Sequence, residues 1–306
     1  MHGNIFDFLG TTENECMHIL NNKKRYYLTY KIKKRSGNYR IINAPMEPLK
    51  SIQYAIKNKI LNKFSPHRIA HGFVDYKSPL TNAKVHIGAD LLINIDIYNF
   101  FPSIKEDRVI NLFKYLLNKR GTTWSTNEYR ILARLSCLDM GLPQGAPTSP
   151  TLSNAYCLMM DKNLKRVEDE YNRGNLTSKI KITRYADDIS VSLKGPVTDG
   201  FLGDLFRNIR AILTLNRLYI NNRKTKIRKK HQSMRVTGIV INEKPNIQRN
   251  TWRNFRAMLH NTIKEGKKLS SLNLQKIKGY IEWVSCVNHT RGQQFLKQYE
   301  KILTLP

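Results

Sequence analysis

The chain has 306 residues, and its 52 Lys and Arg against 23 Asp and Glu give a formal charge of +29. So self-repelling a surface does not suit an enzyme of small neutral metabolites and calls for a polyanionic partner, nucleic acid first and an anionic membrane surface second. Hydrophobic residues make up 41% of the chain, enough for a core, which excludes global disorder.

The N-terminus, MHGNIFDFLG, has no basic segment followed by an apolar one, and no stretch approaches the ~20 apolar residues of a membrane span. A cytoplasmic protein with no membrane partner is expected. Cys16, Cys137, Cys157 and Cys286 form no C-x-x-C pair, so neither a structural zinc site nor a disulfide scaffold is expected.

A β-hairpin is predicted from Tyr26 to Ile32, through the turn Ser36-Gly37-Asn38, and from Tyr39 to Ile42. It lies in a run, residues 23–40, with eight basic residues and no acid. Leu49, Ile52, Ile56 and Ile60 predict a helix from Leu49 to Leu61. Leu91 to Ile97 reads as a buried strand, broken by Phe100-Phe101-Pro102-Ser103, and a helix follows from Arg108 to Leu117. Gly141 to Pro147 is a turn-rich loop, and one helix is expected from about Ser149 to Glu170.

Lys179 to Leu193 reads as two strands around Asp187-Asp188, with Ile189, Val191 and Leu193 alternating against polar neighbours. A helix from Phe201 to Asn216 and a strand from Met234 to Asn242 complete an α+β order. Between them, residues 223–235 carry seven basic residues and no acid. The last stretch, 241–306, has three helical apolar stripes and twelve basic residues against four acids. Three separate basic regions predict a nucleic-acid track.

In so basic a chain the acids are informative. Asp96 ends an apolar strand, where an unpaired carboxylate is costly, and Asp187-Asp188 sits at a turn between two apolar strands. Carboxylates at the ends of neighbouring strands suit hard divalent cations such as Mg²⁺. Two such ions ~3.5–4 Å apart would activate an attacking hydroxyl and stabilise a leaving oxygen. On these residues alone, a nuclease and a polymerase fit equally.

Tyr185-Ala186-Asp187-Asp188 resembles the catalytic hairpin of reverse transcriptases. Asn94-Ile95-Asp96-Ile97-Tyr98-Asn99-Phe100-Phe101-Pro102-Ser103-Ile104 is similar to their first catalytic strand, and Leu142 to Pro150 (LPQGAPTSP) to their nucleotide-pocket loop. The match runs in order from about residue 23 to 240. Within the family, the chain most resembles bacterial retron reverse transcriptases. It has Asn82-Ala83-Lys84-Val85-His86 at their N-A-x-x-H element and Val236-Thr237-Gly238 at their V-T-G element, the primer-grip position. His71-Gly72-Phe73 matches a further bacterial block.

The resemblance implies a right-hand polymerase fold, α+β, with an antiparallel palm sheet and a C-terminal helical thumb. Fingers would cover about 20–92 and 109–140, palm about 93–108 and 141–240, and thumb 241–306. It implies that Asp96 and Asp187 hold two Mg²⁺ ions (Mn²⁺ as a substitute), with the Ile97 carbonyl assisting and Asp188 in support. Arg40, with Lys34 or Arg35, would clamp the triphosphate. Phe101 would be the steric gate against a ribose 2′-OH, and Gln144 and Gly145 would line the nucleotide pocket. Lys224 would approach the triphosphate. Asn82, His86, Val236, Thr237 and Gly238, with Arg249, Arg253 and Arg256 of the thumb, would bind RNA and primer.

By the same resemblance, the partners are deoxynucleoside triphosphates, a cognate structured non-coding RNA (msr-msd) and its cDNA. An effector protein in anti-phage defence and a host RNase H for template removal are further partners, since the chain after Gly238 is short for a thumb plus a nuclease domain. Synthesis would start from an RNA 2′-OH and give branched RNA–DNA. Two other readings stay open: another bacterial defence or group II intron-like reverse transcriptase, and an RNA-binding scaffold for an effector.

Overall fold

The computed structural model describes residues 4–34, 37, 39–119, 121, 123–174, 177–266 and 269–304. At its centre is a four-stranded antiparallel sheet built from β3 (Leu91–Asp96), β4 (Lys179–Tyr185), β5 (Asp188–Lys194) and β6 (Lys226–Lys229), in the order β4-β5-β3-β6. The basic hairpin pairs β1 (Tyr27–Lys33) with β2 (Tyr39–Pro45) as a separate two-stranded sheet.

Strand register explains the odd carboxylate in β3. Leu91, Ile93 and Ile95 pair with Leu193, Val191 and Ile189, and Ile180 and Ile182 of β4 continue the row. Side chains alternate along a strand, so these residues share one face. All belong to the main hydrophobic core, together with residues of the helices Leu158–Gly174 and Asp199–Leu215. The other face carries Asn94, Asp96, Asp188, Ser190, Ser192 and Thr183. Asp96 is thus out of phase with the core.

The polar face is sealed at one place by His86, which is buried. Its Nδ1 lies 2.7 Å from Ser192 Oγ and its Nε2 2.7 Å from Thr183 Oγ1, so the ring ties β5 to β4. Burial first, and then the nearby His71, depress its pKa to about 3. Above about pH 6.5 the ring is neutral whether the chain is folded or not. Below that, the unfolded chain takes up a proton that the folded chain refuses, so the stability His86 contributes is lost as pH falls from about 6.5 towards 3. His86→Gln is therefore expected to be less stable than the parent at pH 7.5, with the gap narrowing at pH 5.5 and again at 4.5. Urea unfolding at the three values reads this, and a gap independent of pH would refute it.

The helix after the turn-rich loop is broken at Cys157 into Ser149–Tyr156 and Leu158–Gly174, and the strand expected from Met234 to Asn242 is a short hairpin of β7 (Arg235–Val236) and β8 (Ile239–Val240). Thr237 and Gly238 both have positive φ, 48° and 83°, and turn the chain back on itself. Beyond it lie three helices, Arg249–Glu265, Ser271–Val287 and His289–Leu303, around their own apolar cluster. Trp283 and Val287 also pack on a third cluster, which holds Ala83, Leu92, Val236 and Ile239. Among the described residues no helix is long and apolar enough to cross a membrane.

Candidate active site

Asp96 and Asp188 face each other across β3 and β5, and the Ile97 N–H donates to the Asp187 carbonyl at 2.9 Å. The three acids therefore meet at one end of the sheet. The turn between β4 and β5 has Ala186 at φ 54°, a left-handed conformation unusual for a residue with a Cβ. Burial raises the Asp187 carboxyl above the ordinary range, and the Asp96 charge adds to this against Lys224 and Arg40. Asp188 is raised to about 7, by desolvation among its neighbours first and then by Asp187 and Asp96, although its own surface is largely open to solvent.

Such mutual repulsion marks a place short of positive charge. The Lys224 ammonium meets part of the need, 2.9 Å from Asp96 Oδ2. Asn221 Nδ2 donates to Asp96 Oδ1 at 2.8 Å, and the Asn221 N–H donates to the Asp96 carbonyl. Among the described residues no three His, Cys, Asp or Glu side chains converge as a ready-made metal cage. The donor set is nonetheless all oxygen and fits Mg²⁺, an ion that keeps waters and completes its shell with substrate phosphates.

A cleft of about 360 Å³ opens beside the acids. Asp96 and Asp187 line it on one side, and Lys34, Arg40, Arg223 and Lys224 supply positive charge. Gln144 is also in its wall. The β1–β2 hairpin is brought to the cleft by backbone contact, the Asn43 N–H donating to the Gln144 carbonyl at 2.7 Å. Gly145 has φ 118°, and a Cβ there would lie 2.9 Å from the Asn43 carbonyl oxygen and 3.0 Å from Ile42 Cγ2. The close approach that Gly145 permits is to β2. This glycine seats the pocket loop against the strand that carries Arg40.

The remaining expected residues divide. Arg35 lies outside the described residues. Phe101 packs in an aromatic group with Phe100 and Phe73, centroids at 5.3 and 6.0 Å, and the cleft wall includes Phe100 without Phe101. The N-A-x-x-H and V-T-G elements are neighbours, with Thr237 Oγ1 donating to the Pro79 carbonyl at 2.9 Å. Asn82, His86 and Val236 are buried. Direct RNA contact by these three is therefore corrected: they have no exposed surface to offer, and they build the platform from which Thr237 and the exposed Gly238 project. Arg249, Arg253 and Arg256 are exposed on one helix, with Arg256 over the Trp252 ring at 5.1 Å.

Three buried residues under the catalytic turn were not singled out from sequence. Arg184 is on the core face of β4, in the row of Ile180 and Ile182. Its Nε and Nη2 donate to the two oxygens of Asp161, both at 2.7 Å, a bidentate pair. Nη2 also donates to Asn154 Oδ1, and Nη1 to the Ala186 carbonyl, each at 3.1 Å. A charge at a core position of a strand was the available signal.

Residues 32–241 match the family described as reverse transcriptase (RNA-dependent DNA polymerase). The retron Ec86 reverse transcriptase of Escherichia coli is 31% identical, over 90% of this chain and 82% of its own. The retron Mx162 reverse transcriptase of Myxococcus xanthus is 30% identical over 90% of this chain, which spans only 61% of that relative's length. A solved telomerase structure from Candida albicans is similar with a TM-score of 0.47 and 10% identity, over 90% of this chain and 58% of that one.

Proposed function

Because the chain belongs to the retron reverse transcriptases, a family of RNA-directed DNA polymerases that use divalent metal ions, we propose that it copies part of a cognate non-coding RNA into DNA, starting from an RNA 2′-OH. The observation that carries this reading is the meeting of Asp96 and Asp187 with Lys34, Arg40 and Lys224 in one cleft, with Asp188 paired to Asp96 across the neighbouring strand. Asp96 and Asp187, helped by the Ile97 carbonyl and Asp188, would hold two Mg²⁺ ions, which supply activation of the attacking hydroxyl and neutralisation of pyrophosphate.

The protein's own groups do the rest. Arg40 and Lys34 grip the triphosphate, and Lys224 exchanges its bond to Asp96 for one to phosphate. Gln144 borders the incoming nucleotide, and Phe101, packed against Phe100 of the cleft wall, would exclude a ribose 2′-OH. Arg249, Arg253 and Arg256 track the backbone of an A-form hybrid. In this reading 20–92 and 109–140 are fingers, 93–108 and 141–240 palm, and 241–306 thumb. An effector protein in anti-phage defence, a host RNase H and a cytoplasmic location belong to the same proposal.

The test is DNA synthesis by the purified chain on its cognate RNA without an added primer. The expected product is DNA joined 2′–5′ to RNA, which resists alkali at the branch nucleotide and yields to debranching enzyme. Ordinary 3′-primed cDNA as the only product would place the chain among other reverse transcriptases.

A further inference from the structure

The catalytic turn is held from beneath by side chains that touch neither the cleft nor any expected substrate. Arg184, Asp161 and Asn154 are all fully buried. Asp161 fixes the plane of the Arg184 guanidinium, and the guanidinium donates to the Ala186 carbonyl, the peptide group that leads into Asp187. Asn154 accepts from Arg184 and passes the restraint on. Its Nδ2 donates to the carbonyls of Gly72 and Phe73 at 3.0 and 3.3 Å.

Gly72 then closes the ring. A Cβ there would lie 2.5 Å from the Ala186 nitrogen, so the loop presses directly on the turn. Two backbone bonds keep it there, from the Arg184 N–H to the Ile69 carbonyl and from the His71 N–H to the Arg184 carbonyl. Ala186 sits between these groups at φ 54°, a conformation that persists only where the surroundings impose it.

We propose that Arg184, Asp161 and Asn154, with Gly72, are positioning residues that hold the Ala186–Asp187 peptide so that the Asp187 carboxylate points at the metal site. The inference rests on the polymerase reading above. Loosening the clamp lets the peptide turn and swings the carboxylate away from Asp96, while the cleft and the basic surfaces stay as they are. Metal affinity and turnover fall together, and nucleotide and RNA affinity do not.

Arg184→Lys keeps the buried charge but lacks the second arm that reaches the Ala186 carbonyl, and Gly72→Ala disturbs the turn from the loop side without touching the ion pair. Mn²⁺ titration of each full-length variant bound to template–primer is expected to show binding about 10-fold weaker or more, the usual effect of losing a group that orients a ligand. DNA synthesis should fall by about 10²-fold in kcat, with KM for nucleotide and affinity for RNA within about twofold of the parent. Excess Mn²⁺ should restore part of the rate. Unchanged Mn²⁺ affinity in the folded variants would overturn the proposal, whatever their activity, and if Arg184→Lys does not fold, Gly72→Ala alone decides. Asp187→Asn with Asp188→Asn separates the two levels. If that variant still synthesises DNA, the polymerase site itself is misassigned. If it is inactive while Arg184→Lys binds Mn²⁺ like the parent, only the positioning role fails.

Discussion

Asp187→Asn combined with Asp188→Asn is expected to reduce DNA synthesis by about 10³-fold or more while leaving the protein folded. Amides in place of carboxylates would remove the negative charge proposed to hold divalent ions beside Arg40, Lys34 and Lys224. Metal ions contribute several kcal/mol to such transition states, and each ~1.4 kcal/mol is tenfold in rate. The folded state should not suffer. Burial raises the half-buried Asp187 carboxyl, with the Asp96 charge adding to it, so a neutral amide there removes an unfavourable term, while the exposed Asp188 contributes little either way. The expected signature is thus an inactive protein with an unchanged or slightly higher Tm and intact RNA binding. A variant that still synthesises DNA would remove the metal assignment. One that is inactive yet fills every cellular role would favour the scaffold reading.

Asp161→Ala is expected to have the largest effect on stability. Arg184 and Asp161 are both fully buried and bind each other through two 2.7 Å hydrogen bonds. Removing one partner strands a guanidinium in the core, at a cost of about 3–5 kcal/mol. That is a large part of the ~5–15 kcal/mol by which a native domain is stable. Replacing the pair by apolar residues of similar volume, Arg184→Met with Asp161→Leu, should cost much less, because no unpaired charge remains. Urea unfolding of the single and double variants reads the difference. A single variant as stable as the parent would mean that water or another group satisfies Arg184. The double variant would still lack the clamp on Ala186, so restored stability without restored metal affinity would separate the pair's two roles.

The catalytic sheet was largely legible because its residues obey period two. Ile189, Val191 and Leu193 mark one face of β5, and Asp187-Asp188 marks the turn. The same parity, applied to β3, places Asp96 with Asn94 on the polar face. Applied to β4, it places Arg184 in the core, where a charge needs a buried partner, but the partner Asp161 lies on a helix whose packing only the fold reveals.

β6 was hidden inside the basic run of 223–235, where Ile227 is the only apolar residue of the strand and no alternation can be seen. The helix Thr126–Ser136 was missed although its signal was local: Ser125 and Glu128 form a capping box. Asn82, His86 and Val236 were read from sequence as RNA- and primer-binding residues, and the fold buries all three. A short motif does not show whether its residues touch a ligand or hold the scaffold; burial decides it, as for His86 between Thr183 and Ser192.

The central claim, that this cleft makes DNA on an RNA template, is tested most directly by primer extension with the unmodified chain, a polyadenylate RNA template, an oligo-dT primer, labelled dTTP and Mg²⁺. The expected result is template-directed incorporation that stops when the metal is chelated and resumes when it is restored. A folded chain that binds the template–primer and incorporates nothing at any Mg²⁺ or Mn²⁺ concentration would contradict it.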